Sequence, residues 1–416
     1  MPDTALEGVR VVEFTDETGS YCGRLLADLG ATVIKVEPPG GGRQRNAPPF
    51  VSGHEGEADY SLSFWVHNTS KQSVVLDLES ERGRADAREL ALSADIVIED
   101  YPVGHLKGRG LGQAELSAAK PSLVYASITG FGQDGPHAGF AYSDIVGQAM
   151  SGVMTLAGEQ ADAPNMIYGH QSDVAASIQA AQGILMALLH AEATGEGQHV
   201  DVSAQEALSM AQETAMQTWD LQKKNRARTG ERGMIPIAIP GTGAYQTKEG
   251  MVYLLILAPA GGEFPELVDW LREAGMAEDL DDEPYATISA QLNMGFLTQV
   301  ISNPALAAEL VPRLPHINEV LQKFFMTMTA KEAYEEGQHR RLLLGIISTP
   351  KDLAENTQLR ERGWYVPFPD AVEGREVEFP GAPYRLSATP ARVARPPRLG
   401  EHTEEVLASR GAGGQR

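Results

Sequence analysis

At 416 residues the chain is long enough for two hydrophobic cores, and 42% apolar with 22% charged residues is an ordinary globular balance. Asp and Glu outnumber Lys and Arg 56 to 34, a formal charge of -22, which excludes a broad nucleic-acid-binding face and obliges any anionic ligand to find a local group of cations. The single cysteine, Cys22, excludes an internal disulfide framework and a cysteine-rich zinc centre.

In chain order, residues 9–14 read as a strand, 20–29 as a helix and 32–37 as a second strand, a compact βαβ unit. Glu37 closes the second strand, where a dinucleotide site places its ribose-binding acid. The first turn, Asp16-Glu17-Thr18-Gly19-Ser20, lacks G-x-G-x-x-G, so NAD is not expected. A helix near 80–93, a strand at 96–99, a helix near 113–119 and a strand at 123–128 continue the alternation and predict a doubly wound parallel sheet. Two loops leave carboxyl ends of strands, where ligands bind in open α/β sheets: 38–45 carries Arg43 and Arg45, and 104–110 carries Lys107 and Arg109. Glycines and cations there suit phosphates, although arginines on glycine-rich loops are more often only solvated.

Residues 174–190 are rich in Ala, Leu, Ile, Met and Gln and contain no Pro, which predicts a helix with Ser172 or Asp173 as its N-cap. Capping is the ordinary use of an Asp at such a place. The same backbone N–H groups and helix dipole also favour an ionised carboxylate, as a nucleophile requires. Gly195 and Gly197 end the helix, 198–203 reads as a strand and 204–221 as one further helix. The basic, glycine-punctuated stretch 222–233 is a linker. Beyond it, 243–247 and 251–257 flank Lys248-Glu249-Gly250 as a hairpin, helices run to about 338, 342–348 is a buried strand, and a short Glu-rich helix follows Pro397. The N-terminal residues show no basic-then-apolar leader and the apolar run 251–260 is too short to span a bilayer; a cytoplasmic protein without a membrane partner is expected. There is no H-E-x-x-H, G-x-S-x-G or P-loop, so no metal is expected and hydrolase readings fail.

Six phrases then follow one another in a telling order: LLADLGATVIKVEPP at 25–39, NTSKQSVVLDL at 68–78, GFGQDGP at 130–136, QAMSG at 148–152, TGEGQ at 194–198 and RLGEHTEEV at 398–406. Together they resemble the class III CoA-transferases, the CaiB/BaiF or formyl-CoA transferase-like family, over essentially the whole chain. The resemblance implies a Rossmann-like large domain whose sheet is built from both chain ends (1–221 and 341–416), a smaller α+β middle domain (222–340), and an interlocked homodimer. It implies that Asp173 is the nucleophile: it attacks an acyl-CoA to give a mixed anhydride, the CoA thiolate returns to give an aspartyl-CoA thioester, and an acceptor carboxylic acid reverses the sequence. Coenzyme A, present as substrate, is placed by the same resemblance against Thr18, Gly19, Leu76, Asp77, Leu78, Glu79, Asp100, Tyr101, Arg109, Gly130 and Phe131.

Some positions depart from the family pattern. Pro38 and Thr129 stand where relatives have an arginine and a lysine, for which Arg43 and Arg45 are candidate replacements. Gly241-Thr242-Gly243 is the nearest candidate for a glycine-rich shielding loop, which makes a small reactive substrate such as oxalate a poor fit. A 2-methylacyl-CoA racemase of the same fold pairs the Asp with a histidine, and that position here is Ser143, with His137 and His170 as nearby substitutes. A non-catalytic CoA-binding protein is the other alternative. The methionines 150, 154, 166, 210 and 216 and Trp219 flank the proposed site in sequence, as core or as an adaptable apolar pocket.

Overall fold

The computed structural model describes residues 3–230, 238–256, 264–372 and 374–409. Two compact units divide the chain: Met1–Thr155, Met166–Asn225 and Gln358–Arg416 form the first, Leu156–Asn165 and Arg226–Thr357 the second.

The first unit is organised by six strands, β1 (Arg10–Phe14), β2 (Thr32–Glu37), β3 (Gln72–Val75), β4 (Ile96–Glu99), β5 (Val124–Thr129) and β6 (His199–Ser203), all parallel in the order β3-β2-β1-β4-β5-β6. The order reverses between β1 and β4, so the crevice for a ligand opens where the loops after those two strands part. Both faces of the sheet are covered at its centre, which is why the inner strands read as near-continuous apolar runs. Val11, Val33, Ile96, Ile98 and Val124 face α1 (Ser20–Asp28) and α6 (Gln171–Thr194). Val12, Ile34, Val36, Val97 and Tyr125 face the opposite core, to which Leu90 and Leu116 contribute. The intervening helices are α2 (Leu62–His67), α3 (Glu81–Ser93), α4 (Gln113–Ala119), α5 (Asp144–Met150) and α6 (Gln171–Thr194). Helix α6 lies close on the sheet because it offers it small residues, Ala176, Ala180, Ala181 and Ala187 around Ile184. By length and composition α6 would cross a membrane (24 residues, mean hydropathy 1.4), and 44% of its most apolar window is buried in the protein.

The predicted single helix over 204–221 is two, α7 (Ala204–Ser209) and α8 (Ala215–Gln222), parted by a 3-10 turn and by Glu213 at φ 49°, a left-handed φ that no helix continues through. The second unit holds an antiparallel sheet of β7 (Thr242–Gln246), β8 (Met251–Leu255) and β9 (Leu344–Ile346). Its helices are α9 (Phe264–Glu273), α10 (Tyr285–Gln291), α11 (Met294–Ser302), α12 (Pro304–Leu310), α13 (Leu314–Phe325), α14 (Ala330–His339) and α15 (Pro350–Ala354). Phe264, Leu267, Leu271, Phe324 and Phe325 form its core. Part of the predicted linker, 231–233, and residue 257 of the predicted hairpin lie outside the described residues.

The chain returns to the first unit at residue 358 rather than 341, because β9 pairs with β8 and belongs to the second unit. The returning segment runs from α16 (Thr357–Glu361) through the hairpin β10 (Tyr365–Val372) and β11 (Arg375–Pro380) to α17 (Thr403–Ser409). Among the described residues it adds no strand to the parallel sheet, contrary to the expectation of a sheet drawn from both chain ends. Instead Val406 enters the core, and residues 400–403 cover the edge strand β3 through hydrogen bonds to Ser73 and Val75.

Candidate active site

The turn after β1 is shaped by a carboxylate from the neighbouring strand's end. Asp100 accepts the backbone N–H groups of Asp16 (2.8 Å), Glu17 (2.9 Å) and Gly19 (2.9 Å), joining the loops on either side of the sheet's reversal point. Burial pushes the Asp100 carboxyl up to about 6, and the three backbone donors pull against that rise. The space at Gly19 is tight, since a Cβ there would stand 3.1 Å from the side chains of Ile128 and Thr15, which would have to give by a few tenths of an ångström. The backbone oxygen of Thr18 accepts the Ser177 hydroxyl (2.7 Å), which ties the turn to α6.

Asp173 is not the cap of α6. The N-cap is His170, in the left-handed conformation (φ 55°, ψ 50°), and Asp173 is the third residue of the helix. The acceptor at the helix start comes instead from α5: Asp144 Oδ1 takes the Ser172 N–H and the Ser172 hydroxyl, both at 2.8 Å. Asp173 is thereby released from capping. Its Oδ1 accepts the Tyr142 hydroxyl (3.0 Å), which also lies 2.7 Å from Ser172 Oγ, and its Oδ2 lies 3.3 Å from His170 Nδ1. The same nitrogen is 3.8 Å from Glu17 Oε1. Among the described residues no Lys or Arg pairs with Asp173, although its side chain is only 8% exposed.

The electrostatics follow from this crowding. The hydrogen bond to Asp173 raises the His170 imidazole above its ordinary value against the pull of burial. Burial and the Asp173 charge raise Glu17, and burial with the same charge raises the Tyr142 hydroxyl, which remains a donor throughout the neutral range. Tyr142 reaches Asp173 only because residue 130 is glycine: a Cβ there would lie 2.3 Å from the Tyr142 ring. Phe131 meets that ring edge-on, with centroids 6.0 Å apart.

Asp173 lines a small open cleft together with Glu17, Thr18, Tyr21, Gln44, Ser63, His67, His170 and Val174. His67, bonded to Gln44 and the Ser63 backbone oxygen, is pushed down to about 4 by burial, so it is neutral. Sequence reasoning missed Tyr21, Gln44, Ser63, His67, Tyr142 and Asp144, which come from separate elements without a shared motif. Glu17, His170 and Asp173 thus form one cluster, with a nitrogen or oxygen atom from each lying within 4.8 Å of the others.

The remaining sequence candidates fall into separate groups. Thr18, Gly19 and Asp100 meet at the first turn. Glu79 pairs with Arg109, whose other contact is the His105 backbone oxygen (3.1 Å), and Tyr101 stacks on His105 with centroids 4.6 Å apart. Asp77 accepts the Glu79 N–H (3.0 Å), Leu76 is buried in the core, and Leu78 packs against it. No hydrogen bond or ion pair among the described residues connects the Glu79–Arg109 pair to Asp173. Arg45 is not available to a phosphate: it is fully buried, bidentate on Glu37 (2.6 and 2.9 Å), bonded to Asp59 (3.0 Å) and stacked 3.6 Å over the Phe64 ring. Glu37 is consumed by that pair and by Ser73, so it does not face a ribose. Arg43 stays exposed beside Asp16. Ser143 is exposed at the start of α5, His137 stacks on Phe140, and Gly241 donates its N–H to Tyr245 within the second unit.

Residues 6–403 match the profile of CoA-transferase family III. The chain belongs to that family. It is 33% identical over 403 residues to the succinyl-CoA:(R)-benzylsuccinate CoA-transferase subunit BbsE of Thauera aromatica, covering 96% of this chain and 92% of the relative. It is 32% identical over 408 residues to the succinate–glutarate CoA-transferase of Agrobacterium fabrum, covering 97% and 95%. A solved CaiB/BaiF family protein from Brucella suis superposes with a TM-score of 0.82 at 28% identity, covering 98% of this chain and all of that one. This family III CoA-transferase therefore places a buried carboxylate, paired with His170 and, among the described residues, with no Lys or Arg, beside the crevice of its parallel sheet.

Proposed function

We propose that this CoA-transferase works through Asp173, forming first an acyl-aspartyl anhydride and then an aspartyl-CoA thioester before passing CoA to an acceptor carboxylate. The observation that carries the reading is the state of Asp173: a carboxylate enclosed by protein, opening on a cleft, held by one hydroxyl and one imidazole and relieved of capping by Asp144. Because the relatives' names contain succinyl-CoA, succinate and glutarate, succinyl-CoA is the first donor to test. We assign CoA to the loops bearing Thr18, Gly19, residues 76–79, Asp100, Tyr101, Arg109, Gly130 and Phe131, which follow the carboxyl ends of β1, β3, β4 and β5. Exposed apolar side chains, among them Met210 (78%), Trp219 (52%) and Leu221 (81%), support burial against a second copy in a homodimer. A racemase needs groups on two sides of one carbon. Ser143 offers no base, and His170 is bonded to Asp173 rather than set across from it.

The test incubates the protein with succinyl-CoA and a panel of mono- and dicarboxylic acids, followed by hydroxylamine trapping and peptide mass analysis. Acyl exchange with a hydroxamate at Asp173, both lost in Asp173→Asn, is the expected result. Loss of α-deuterium from a 2-methylacyl-CoA without acyl exchange would overturn it.

A further inference from the structure

Among the described residues, the cleft beside Asp173 is lined by two groups able to carry positive charge, His67 and His170, and by no Lys or Arg. His67 is held neutral by burial, and its Nδ1 lies against Gln44 and the Ser63 backbone oxygen. That leaves His170. Its Nδ1 lies against Asp173 Oδ2 and near Glu17 Oε1, its side chain is 53% exposed, and no partner among the described residues reaches its Nε2. The backbone at His170 is left-handed, a conformation costly for a residue with a Cβ, and it brings the ring back over the first turn of its own helix.

In the proposed first half-reaction, an Asp173 oxygen bonds to the acyl carbon, the carbon–sulfur bond breaks, and its electron pair leaves on sulfur. No proton is consumed. One negative charge moves from the carboxylate to the thiolate, within a cleft lined, among the described residues, by no Lys or Arg. We propose that His170 is a catalytic residue of this reaction, its imidazolium pairing first with the Asp173 carboxylate and then with the CoA thiolate released by acylation. Glu17 is the positioning residue that holds the ring and its charge in place when Asp173 has lost its own. The proposal rests on the reading of Asp173 as nucleophile. Asp173, Glu17 and Asp144 act on the imidazole with charges that favour its protonated form, His67 faces it without charge, and the Tyr142 hydroxyl joins Asp173 from the other side.

The experiment follows the rate of hydroxylamine-trapped acylation at Asp173, with succinyl-CoA as donor, from pH 6 to pH 10. In the wild type the rate falls on the alkaline side as His170 loses its proton. In His170→Asn, chosen because Asn tolerates the left-handed conformation, the rate drops about 100-fold and the alkaline limb disappears. Glu17→Gln keeps the limb but moves it to lower pH. His170→Gly, which fits the same backbone, regains rate with added imidazole. If the Asn variant, with an unchanged melting temperature, keeps the wild-type rate and limb while the Asp173 adduct still forms, the role of His170 is refuted and the nucleophile stands. If the variant is poorly folded, imidazole rescue of the Gly variant decides, and absence of rescue refutes the role. If no adduct forms in the wild type with any donor, the nucleophile reading itself has failed.

Discussion

Replacing Tyr142 by Phe removes one hydroxyl and leaves the ring in its seat. The lost atom serves Asp173 Oδ1 at 3.0 Å and Ser172 Oγ at 2.7 Å. A hydrogen bond to a charged group contributes about 1.5–3 kcal/mol, and each 1.36 kcal/mol of transition-state stabilisation is tenfold in rate, so the variant should lose roughly 10- to 150-fold in turnover. The loss belongs to kcat rather than KM if the hydroxyl orients the carboxylate without binding substrate. Gly130→Ala tests the same point from the other side, since its Cβ would lie 2.3 Å from the Tyr142 ring and must push the hydroxyl away from Asp173. Combining the two changes should cost little more than the worse of them, because they break one contact. Steady-state succinyl-CoA exchange, with circular dichroism as a folding control, provides the assay. Tyr142→Phe within twofold of wild type, or fully additive losses in the double variant, would refute the reasoning.

Two further predictions concern the scaffold. Lys71 is fully buried and donates to Glu13 (2.8 Å), the Ser20 backbone oxygen (2.7 Å) and Asn68 (2.9 Å), while Lys35 reaches the same Glu13 oxygen at 3.2 Å. Breaking a buried ion pair costs about 3–5 kcal/mol, and Lys35 keeps the loss in Lys71→Met near the lower end; urea unfolding checks this, and a loss below about 1 kcal/mol contradicts it. Glu99 is raised by burial to about 7 from 4.5. Between those values the folded chain retains a proton the unfolded chain has released, so this group withdraws stability as pH rises through the window, by (7 − 4.5) × 1.36, on the order of 3 kcal/mol at most. Glu99→Gln should therefore gain stability over wild type at pH 8 relative to pH 4.5, and an equal difference at both pH values would exclude the assignment.

Much of the first unit was legible because parallel strands buried on both faces announce themselves as apolar runs, as β1, β2, β4 and β5 do, while the edge strand β6, His199-Val-Asp-Val-Ser203, shows by its alternation instead. β3 escaped: Gln72-Ser73-Val74-Val75 is four residues long and half polar, and its polar groups are satisfied by Glu37 and by residues beyond 400. The family phrases were readable as order but not as mechanism. Lys71 in the second phrase is a buried counterion rather than a ligand-facing cation, and Gly130 in the third makes room for Tyr142. Asp173 was visible as a carboxylate at a helix start, yet its freedom from capping depends on Asp144, 28 residues before the Ser172 whose N–H it accepts, and a local pattern carries no sign of that substitution. Arg45 misled for the same reason, because its burial depends on Glu37, Phe64 and the Pro397 carbonyl together.

The cover over β3 has a consequence for how the chain is made. Ser73 exchanges hydrogen bonds with Gly400 and His402, Val75 donates to Thr403, and Arg45 reaches the carbonyl of Pro397. These groups are separated by more than 320 residues of sequence, so on a ribosome the β3 edge of the sheet stays open until residues 400–403 have been synthesised. An open edge invites pairing with another nascent chain. Expression fragments that stop before residue 397 should therefore collect in the insoluble fraction, although they contain every strand of the parallel sheet and Asp173 itself.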